Sequence, residues 1–333
     1  MVFVVYNDLC CMGLEWLAVV GARLVRDWCV AGVWLVWLGW YVLGVEPLHA
    51  IGNTITPRSH RLNMDDLLIL GNKISAAITD AIAPIIGTPE SGKVLYTGAD
   101  GTPTKMIDEV AENAALNVLR DDGRKILLVS EECGEKLIHG EKTDVAGGDI
   151  DFTLVLDPLD GTFNVISGIP FYSVSIAVGE RDLSDISFGF VQNLHSGDVY
   201  HAEAGKGAYL NGKRIKVSTN DDLQKLSVTA YAYRTDSMKV ADLGRTVRRI
   251  RVLGSASLEL CYVASGVLDA FVDFRRYLRV VDIAAGKFIV EEAGGKVTDT
   301  VGAQLRGELS ITSRVDMVVS NGSVHERLLK LIA

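Results

Sequence analysis

From Met64 onward the chain alternates between two apolar rhythms. Leu67, Leu68, Leu70, Ile74, Ala77, Ile78 and Ile82 recur every three or four positions, which predicts an amphipathic helix over about 65–83. Pro84, Gly87, Pro89 and Gly92 then punctuate a loop. Ile107, Val110, Ala111, Ala114, Leu116 and Val118 restore the helical spacing over about 104–120. Shorter apolar runs follow. KILLVS (125–130) and FTLVL (152–156) read as buried strands, the first ending at Glu131 and Glu132, the second at Asp157. SVSIAVGE (173–180), ISFGFVQN (186–193) and DVYHAEA (198–204) continue a predominantly antiparallel sheet, and Asn211-Gly212 supplies a two-residue hairpin turn.

Beyond about 220 strands and helices alternate. LSVTAYA (226–232), RRIRVLG (248–254), the helix SLELCYVASG (257–266) and DAFVDF (269–274) lead to a helix over 282–293. Gly294-Gly295 stops that helix, and KVTDT and MVVSN add strands. The pattern predicts an α+β fold: an antiparallel-sheet subdomain over 64–220, then an α/β subdomain over 221–333.

Residues 1–63 break the pattern. All five tryptophans (16, 28, 34, 37, 40) lie there, whereas the first lysine is Lys73. The stretch 28–45 carries no charge and approaches the length of a spanning helix, with Arg23 and Arg26 before it. It reads as a membrane anchor or as the product of a start placed too far upstream of Met64. The second reading is favoured, because it explains the change in tryptophan and lysine usage.

Composition narrows the chemistry. With 333 residues, 48% apolar and 23% charged, the chain can bury one large or two ordinary cores. A net charge of −9 argues against nucleic acid as a partner. An anionic substrate then requires metal ions or a local basic cluster. The five cysteines (10, 11, 29, 133, 261) form neither a zinc pattern nor a disulfide framework. Cys133 and Cys261 read as reduced residues of a cytoplasmic protein.

The candidate chemistry centres on LVLDPLDGTFNVISG (154–168), where Asp157 and Asp160 stand three apart at the end of an apolar strand. Carboxylates at a core edge are costly to desolvate unless a cation or donor meets them. Pro158 has no N–H and fixes the turn, leaving the Leu159 carbonyl free to face a cation. Gly161-Thr162 opens a helix whose free N–H groups suit a phosphate oxygen. Glu131 and Asp282 also sit at element ends, and this all-oxygen set suits Mg²⁺. Taken singly, Asp157, Asp160 and Asp282 also read as turn or helix caps, and Glu131-Glu132 as a solvated strand end. The spacing in DPLDGT excludes the haloacid-dehalogenase DxDGT signature, whose acids stand two apart.

In combination, DPLDGTFN, the earlier SEE (130–132) and the later VVDIAAG…EEAGG resemble the inositol monophosphatase superfamily of Mg²⁺-dependent phosphatases. The resemblance runs from about 65 to the C-terminus and includes the TPTKMIDEVAE helix and the AEAGKGAYLNG hairpin. GSASLELCYVASGVLDAFVDFRRYLRVVDIAAG is similar to the archaeal branch that acts on both inositol monophosphate and fructose 1,6-bisphosphate. The better-known inositol monophosphatases have Trp-Asp where this chain has Val281-Asp282, and an acid at the position of Arg275.

The resemblance implies a layered αβαβα sugar-phosphatase fold, a homodimer, and two or three Mg²⁺ ions per site. Glu131, Asp157 and the Leu159 carbonyl would hold the first ion; Asp157, Asp160 and Asp282 would hold the second. Asp108 and Thr162, with Glu131, would orient and deprotonate the attacking water. Asp160, Gly161, Thr162, Gly254 and Ser255 are the expected contacts of the phosphate ester. Arg275 and Arg276, with Tyr277, lie just before Asp282, and a guanidinium suits the second phosphate of a bisphosphate. The expected activity is therefore fructose 1,6-bisphosphate 1-phosphatase with inositol-1-phosphatase activity, serving carbohydrate metabolism such as gluconeogenesis. The alternatives are a 3′-phosphoadenosine 5′-phosphate phosphatase and a catalytically silent metal-binding scaffold.

Overall fold

The computed structural model describes residues 63–333 apart from residue 148; the readings of the first 62 residues, the apolar run at 28–45 among them, lie outside the described residues. Helix α1 (Met64–Ile82) starts where the Asn63 side chain accepts the Asp65 N–H. Its buried stripe is Leu67, Leu70, Ile74, Ile78 and Ile82, the spacing read from the sequence. The short hairpin β1 (Val94–Thr97) and β2 (Pro103–Lys105) was not foreseen. It delays the second helix, α2 (Met106–Asp122), by two residues. Gly123 ends α2 in the left-handed conformation (φ 83°).

The first sheet has eight strands in the order β10-β9-β8-β7-β6-β5-β3-β4. Its members are β3 (Ile126–Ser130), β4 (Gly134–Ile138), β5 (Phe152–Asp160), β6 (Ser173–Gly179), β7 (Phe188–Asn193), β8 (Val199–Glu203), β9 (Gly207–Leu210) and β10 (Lys213–Arg214). Only β3 and β5 pair in parallel. A six-residue helix, α3 (Lys142–Gly147), lies in the connection between β4 and β5. Between β9 and β10, Asn211 and Gly212 both take positive φ (50° and 74°), as a two-residue hairpin demands.

The second sheet has the order β12-β11-β13-β15-β14. It contains β11 (Ser227–Ala230), β12 (Arg249–Arg251), β13 (Ala270–Arg279), β14 (Lys296–Thr298) and β15 (Arg314–Ser320). The remaining helices are α4 (Thr162–Ile166), α5 (Ser237–Thr246), α6 (Ala256–Ala264), α7 (Val280–Glu292) and α8 (His325–Ile332).

Alternation along single strands builds the layers. On β5, Leu154 and Leu156 join α1 and α2 in one core, while Val155 faces the other way, towards α6 and α7. On β13, Phe271 belongs to that central core, while Ala270 and Val272 pack with Leu243 of α5 and Leu328 of α8. The order is thus helix, sheet, helix, sheet, helix, the layered αβαβα arrangement the resemblance implied. Each fully buried Leu, Ile or Phe in these cores contributes about 1.5–3 kcal/mol. The described residues from 63 onward belong to one compact unit, within which the join expected near 220 falls.

Two boundaries differ from expectation in ways that shape the cleft. Strand β5 does not stop at residue 156. Its pairing with β6 shifts between Asp157 and Asp160 and then resumes at Asp160–Ser173. Asp282 does not open its helix: α7 begins at Val280, with Arg279 as its N-cap. The strand before it runs to Arg279, with a register shift between Asp273 and Leu278. The two arginines expected to follow a strand therefore lie within its irregular part.

Candidate active site

The bulge in β5 re-aims carboxylates at the end of a strand whose every residue is buried. Asp157 is wholly buried. Its Oδ1 accepts the Leu159 N–H at 3.0 Å, while its Oδ2 has no partner at all. Glu131 arrives from the end of β3 and Asp282 from the first turn of α7. One oxygen from each of Glu131, Asp157 and Asp282 lies within 4.8 Å of the others. Three hard oxygen donors and an orphaned buried carboxylate oxygen fit a divalent cation of the Mg²⁺ type.

Asp160 lines the same cleft but lies outside that trio. Its Oδ2 accepts three donors: the Ser257 N–H at 2.8 Å, Ser257 Oγ at 2.6 Å and Ser255 Oγ at 2.8 Å. Ser255 is therefore a buried brace for Asp160. Ser257 shares that task and was missed in the sequence. Asp108 and Thr162, the pair expected to handle the water, lie together: Thr162 Oγ1 donates to Asp108 Oδ1 at 2.8 Å. The same hydroxyl lies 3.2 Å from the Leu159 carbonyl, so that carbonyl is tied to the turn as well as available to a cation. Helix α4 is only five residues long, so its few free N–H groups matter more than any dipole.

Two glycines permit this crowding. Gly161 has φ 101°, and a Cβ there would sit 3.1 Å from the Phe171 carbonyl and 3.3 Å from that of Gly254. Gly254 has φ 90°, and its Cβ would meet the Asn164 amide at 3.0 Å. Asn164 Nδ2 in turn donates to the Leu253 carbonyl at 2.8 Å and the Phe171 carbonyl at 2.7 Å.

The second half of the chain adds basic and aromatic residues to the same cleft. The cleft, about 720 Å³, is lined by Arg234, Arg275, Tyr277 and Arg314, with Tyr231 and Tyr233 beside them. Arg275 lies 4.3 Å above both tyrosine rings and pairs through Nε and Nη2 with the buried Asp273. Arg276 departs from expectation. Its φ of 56° turns its side chain outwards, 87% exposed, towards Asp316. It does not line the cleft.

The residue that sequence reading missed altogether is Arg279. Its Nε and Nη2 reach Asp282 Oδ1 at 2.9 and 2.8 Å, and its Nη1 donates to Asp100 Oδ2 at 2.7 Å and to Glu131 Oε1. The only signal for it was the i, i+3 spacing to Asp282. Glu259 was missed too: on α6, it accepts the Tyr231 hydroxyl at 2.8 Å and the Leu253 N–H at 2.5 Å, tying that helix to the segments that follow β11 and β12.

Burial, and then charge crowding, shifts these acids upwards. Burial first, then the charges of Glu131, Asp160 and Asp282, hold Asp157 well above the usual carboxylate range, against the pull of Arg279. Burial likewise pushes Glu131 up to about 8 and Asp160 to about 6. Asp108 is raised by burial, although the Thr162 hydroxyl opposes the shift. A cluster that resists carrying its charges unaided is one built to share them with a cation.

Residues 70–333 match the Inositol monophosphatase family, and the chain belongs to it. That family is one of metal-dependent phosphatases, and this chain is a phosphoric monoester hydrolase. It is 43% identical over 268 residues to the fructose-1,6-bisphosphatase/inositol-1-monophosphatase of Methanothermobacter thermautotrophicus, covering 78% of this chain and 94% of that protein. It is 38% identical to a bifunctional NADP phosphatase/NAD kinase of Methanococcus maripaludis, but spans only 48% of that protein, against 79% of its own length. A crystal structure described as an inositol monophosphatase–fructose 1,6-bisphosphatase superposes with a TM-score of 0.70 at 32% identity. That match covers 79% of this chain and 98% of the other.

Among the described residues no helix is long and apolar enough to cross a membrane.

Proposed function

We propose that the protein hydrolyses fructose 1,6-bisphosphate at its 1-phosphate and inositol 1-phosphate more slowly, as a Mg²⁺-dependent homodimeric enzyme of the cytoplasm. The observation that carries the reading is that one cleft is lined both by acids and by three arginines outside the acidic cluster, Arg234, Arg275 and Arg314. A bisphosphate presents two anions, and this cleft offers a separate receptor for each. Names borne by archaeal relatives point the same way.

Glu131, Asp157 and Asp282, with Asp160 and the Leu159 carbonyl, would hold the cation. When bound, a cation of this kind acidifies water and stabilises charge on the phosphoryl and leaving oxygens. The protein's own part is positional. Asp108 holds the Thr162 hydroxyl, so that the hydroxyl can orient a water while the carboxylate takes up a proton. The left-handed Gly161 starts α4 without a side-chain cap, which leaves the first N–H groups of the helix without a capping side chain. Arg275, clamped by Asp273 and two tyrosines, pays little entropy on meeting a distal phosphate.

A second reading has its own observation: Phe163, Tyr233 and Tyr277 line the cleft yet are more than half exposed, surfaces on which a base could stack. It would make a phosphorylated nucleotide, such as 3′-phosphoadenosine 5′-phosphate, the substrate.

The test is kcat/KM for all three esters with Mg²⁺ and with a chelator. The bisphosphate should be the best substrate. Arg275→Ala should narrow its lead over inositol 1-phosphate by about 1–3 kcal/mol, the size of a charge-assisted bond, whereas Arg276→Ala should leave it unchanged. A lead held by the nucleotide would favour the stacking reading; equal losses on every substrate would remove the basis for a bisphosphate preference.

A further inference from the structure

The guanidinium of Arg279 and a divalent cation draw on the same oxygens. Arg279 binds Asp282 through two nitrogens and Glu131 through a third, and those carboxylates are two of the three that converge within 4.8 Å. Asp157, the third, takes no hydrogen bond from it, and its Oδ2 has no partner. The arginine is held over the site by its backbone, because it is the N-cap of the helix that carries Asp282. It also has a partner outside the trio. Asp100 receives Nη1 at 2.7 Å and is itself fixed by the N–H and hydroxyl of Thr102, both at 2.8 Å.

We propose that Arg279 is the internal counter-ion of the acidic cluster, which yields Glu131 and Asp282 to an incoming cation and keeps Asp100. This rests on reading Glu131, Asp157 and Asp282 as metal ligands, and it goes further by making metal affinity a compromise. Like-charged carboxylates this close cannot all stay ionised without a neighbouring positive charge. A resident guanidinium supplies that charge and keeps the ligands oriented. The cost is that every cation must break charge-assisted hydrogen bonds before it can bind. Removing Arg279 should therefore strengthen metal binding while weakening the fold when no metal is bound. A residue that merely orients ligands predicts the opposite sign for binding.

The experiment is a calorimetric titration of the full chain with MgCl₂, paired with thermal unfolding in chelator and in saturating MgCl₂. Arg279→Gln should lower the Mg²⁺ dissociation constant about tenfold, which corresponds to about 1.4 kcal/mol. Its unfolding temperature should fall in chelator and recover in Mg²⁺. Arg279→Lys, which keeps the charge but loses the fork, should fall between the two in Mg²⁺ affinity. A glutamine variant that folds only with Mg²⁺ also supports the counter-ion. Equal or weaker Mg²⁺ binding by Arg279→Gln overturns the proposal. If that variant folds under neither condition, equal or weaker binding by Arg279→Lys overturns it. A wild-type protein that takes up no divalent cation would instead remove the metal reading itself.

Discussion

Asp157→Asn separates the two roles that a buried carboxylate at the end of β5 could have. A turn or helix cap needs only one accepting oxygen, and asparagine keeps it: the amide carbonyl can still take the Leu159 N–H, now 3.0 Å from Oδ1. The bulge should therefore survive. What the substitution removes is a negative charge whose neighbours, Glu131 and Asp282, offer oxygens within 4.8 Å. At that separation two unit charges repel by about 3.5 kcal/mol at an effective dielectric of about 20. The wild-type chain escapes part of this by the upward shift of Asp157 and part through Arg279. Losing the charge should leave the unfolding temperature in chelator unchanged or higher.

Turnover should respond in the opposite direction. If Asp157 is a ligand of the bound cation, phosphate release from fructose 1,6-bisphosphate in saturating Mg²⁺ should drop at least about a thousandfold, or about 4 kcal/mol. The paired assays are phosphate release and thermal unfolding in chelator. Turnover within tenfold of wild type would refute the metal role. A fall of many degrees in chelator would show that the charge serves the fold.

Three further outcomes are expected. Thr162→Ala should lower kcat with little change in KM, because a group that orients water acts mainly in the transition state; a rise in KM alone would refute that role. A chain beginning at Met64, where the Asn63-capped α1 starts, should fold cooperatively and keep full kcat; an aggregated or inactive product would assign residues 1–63 a necessary role. His325 is buried between Thr298 and Ser320, and burial with the charge of Lys296 lowers its pKa to about 4. A lowered histidine leaves the folded state with fewer protons than the unfolded chain. Its stability is thus fully present above about 6.5 and declines towards about 4, by up to about 1.4 kcal/mol per pH unit. His325→Gln should show a shallower acid limb in urea unfolding, and identical slopes would count against this assignment.

How much of this was legible in the sequence depended on how far apart the cooperating residues lie. The amphipathic stripes of α1 and the strand–turn of β5 are local, so their spacing predicted them. Asp157 and Asp160 are three apart and were visible as a pair. Helix α7 was harder, because it is packed between two sheets and every residue from Val280 to Val290 is buried. A helix covered on all sides has no polar face to mark its ends, so its start was misplaced by two residues. Strand β4 (GEKLI) and the short helices α5 and α8 were passed over because each is brief, with five, ten and eight residues. The pairing of Arg275 with Asp273 was hidden for another reason. Two residues apart on an ideal strand they would share a face, but whether an arginine meets its neighbour or a ligand depends on the register shift after Asp273.

The same distinction explains why the acids could be read and Arg279 could not. The first half of the chain supplies Asp108, Glu131, Asp157, Asp160 and Thr162; the second supplies Asp282, Arg275, Arg279 and the tyrosines that line the cleft. Neither half contains a complete site. What joins them is α7, whose one side packs on β5, β6 and β7 and whose other side meets β13. Asp282 and its neighbour Arg279, 148 positions after Glu131, therefore come to the same site only because a largely apolar helix has been buried between two sheets. The hydrophobic packing of the central layer thus sets the distance between the charges. A core substitution on α7 far from the cleft, such as Ile289, lies on the same rigid element as Asp282 and can alter metal binding without touching a ligand.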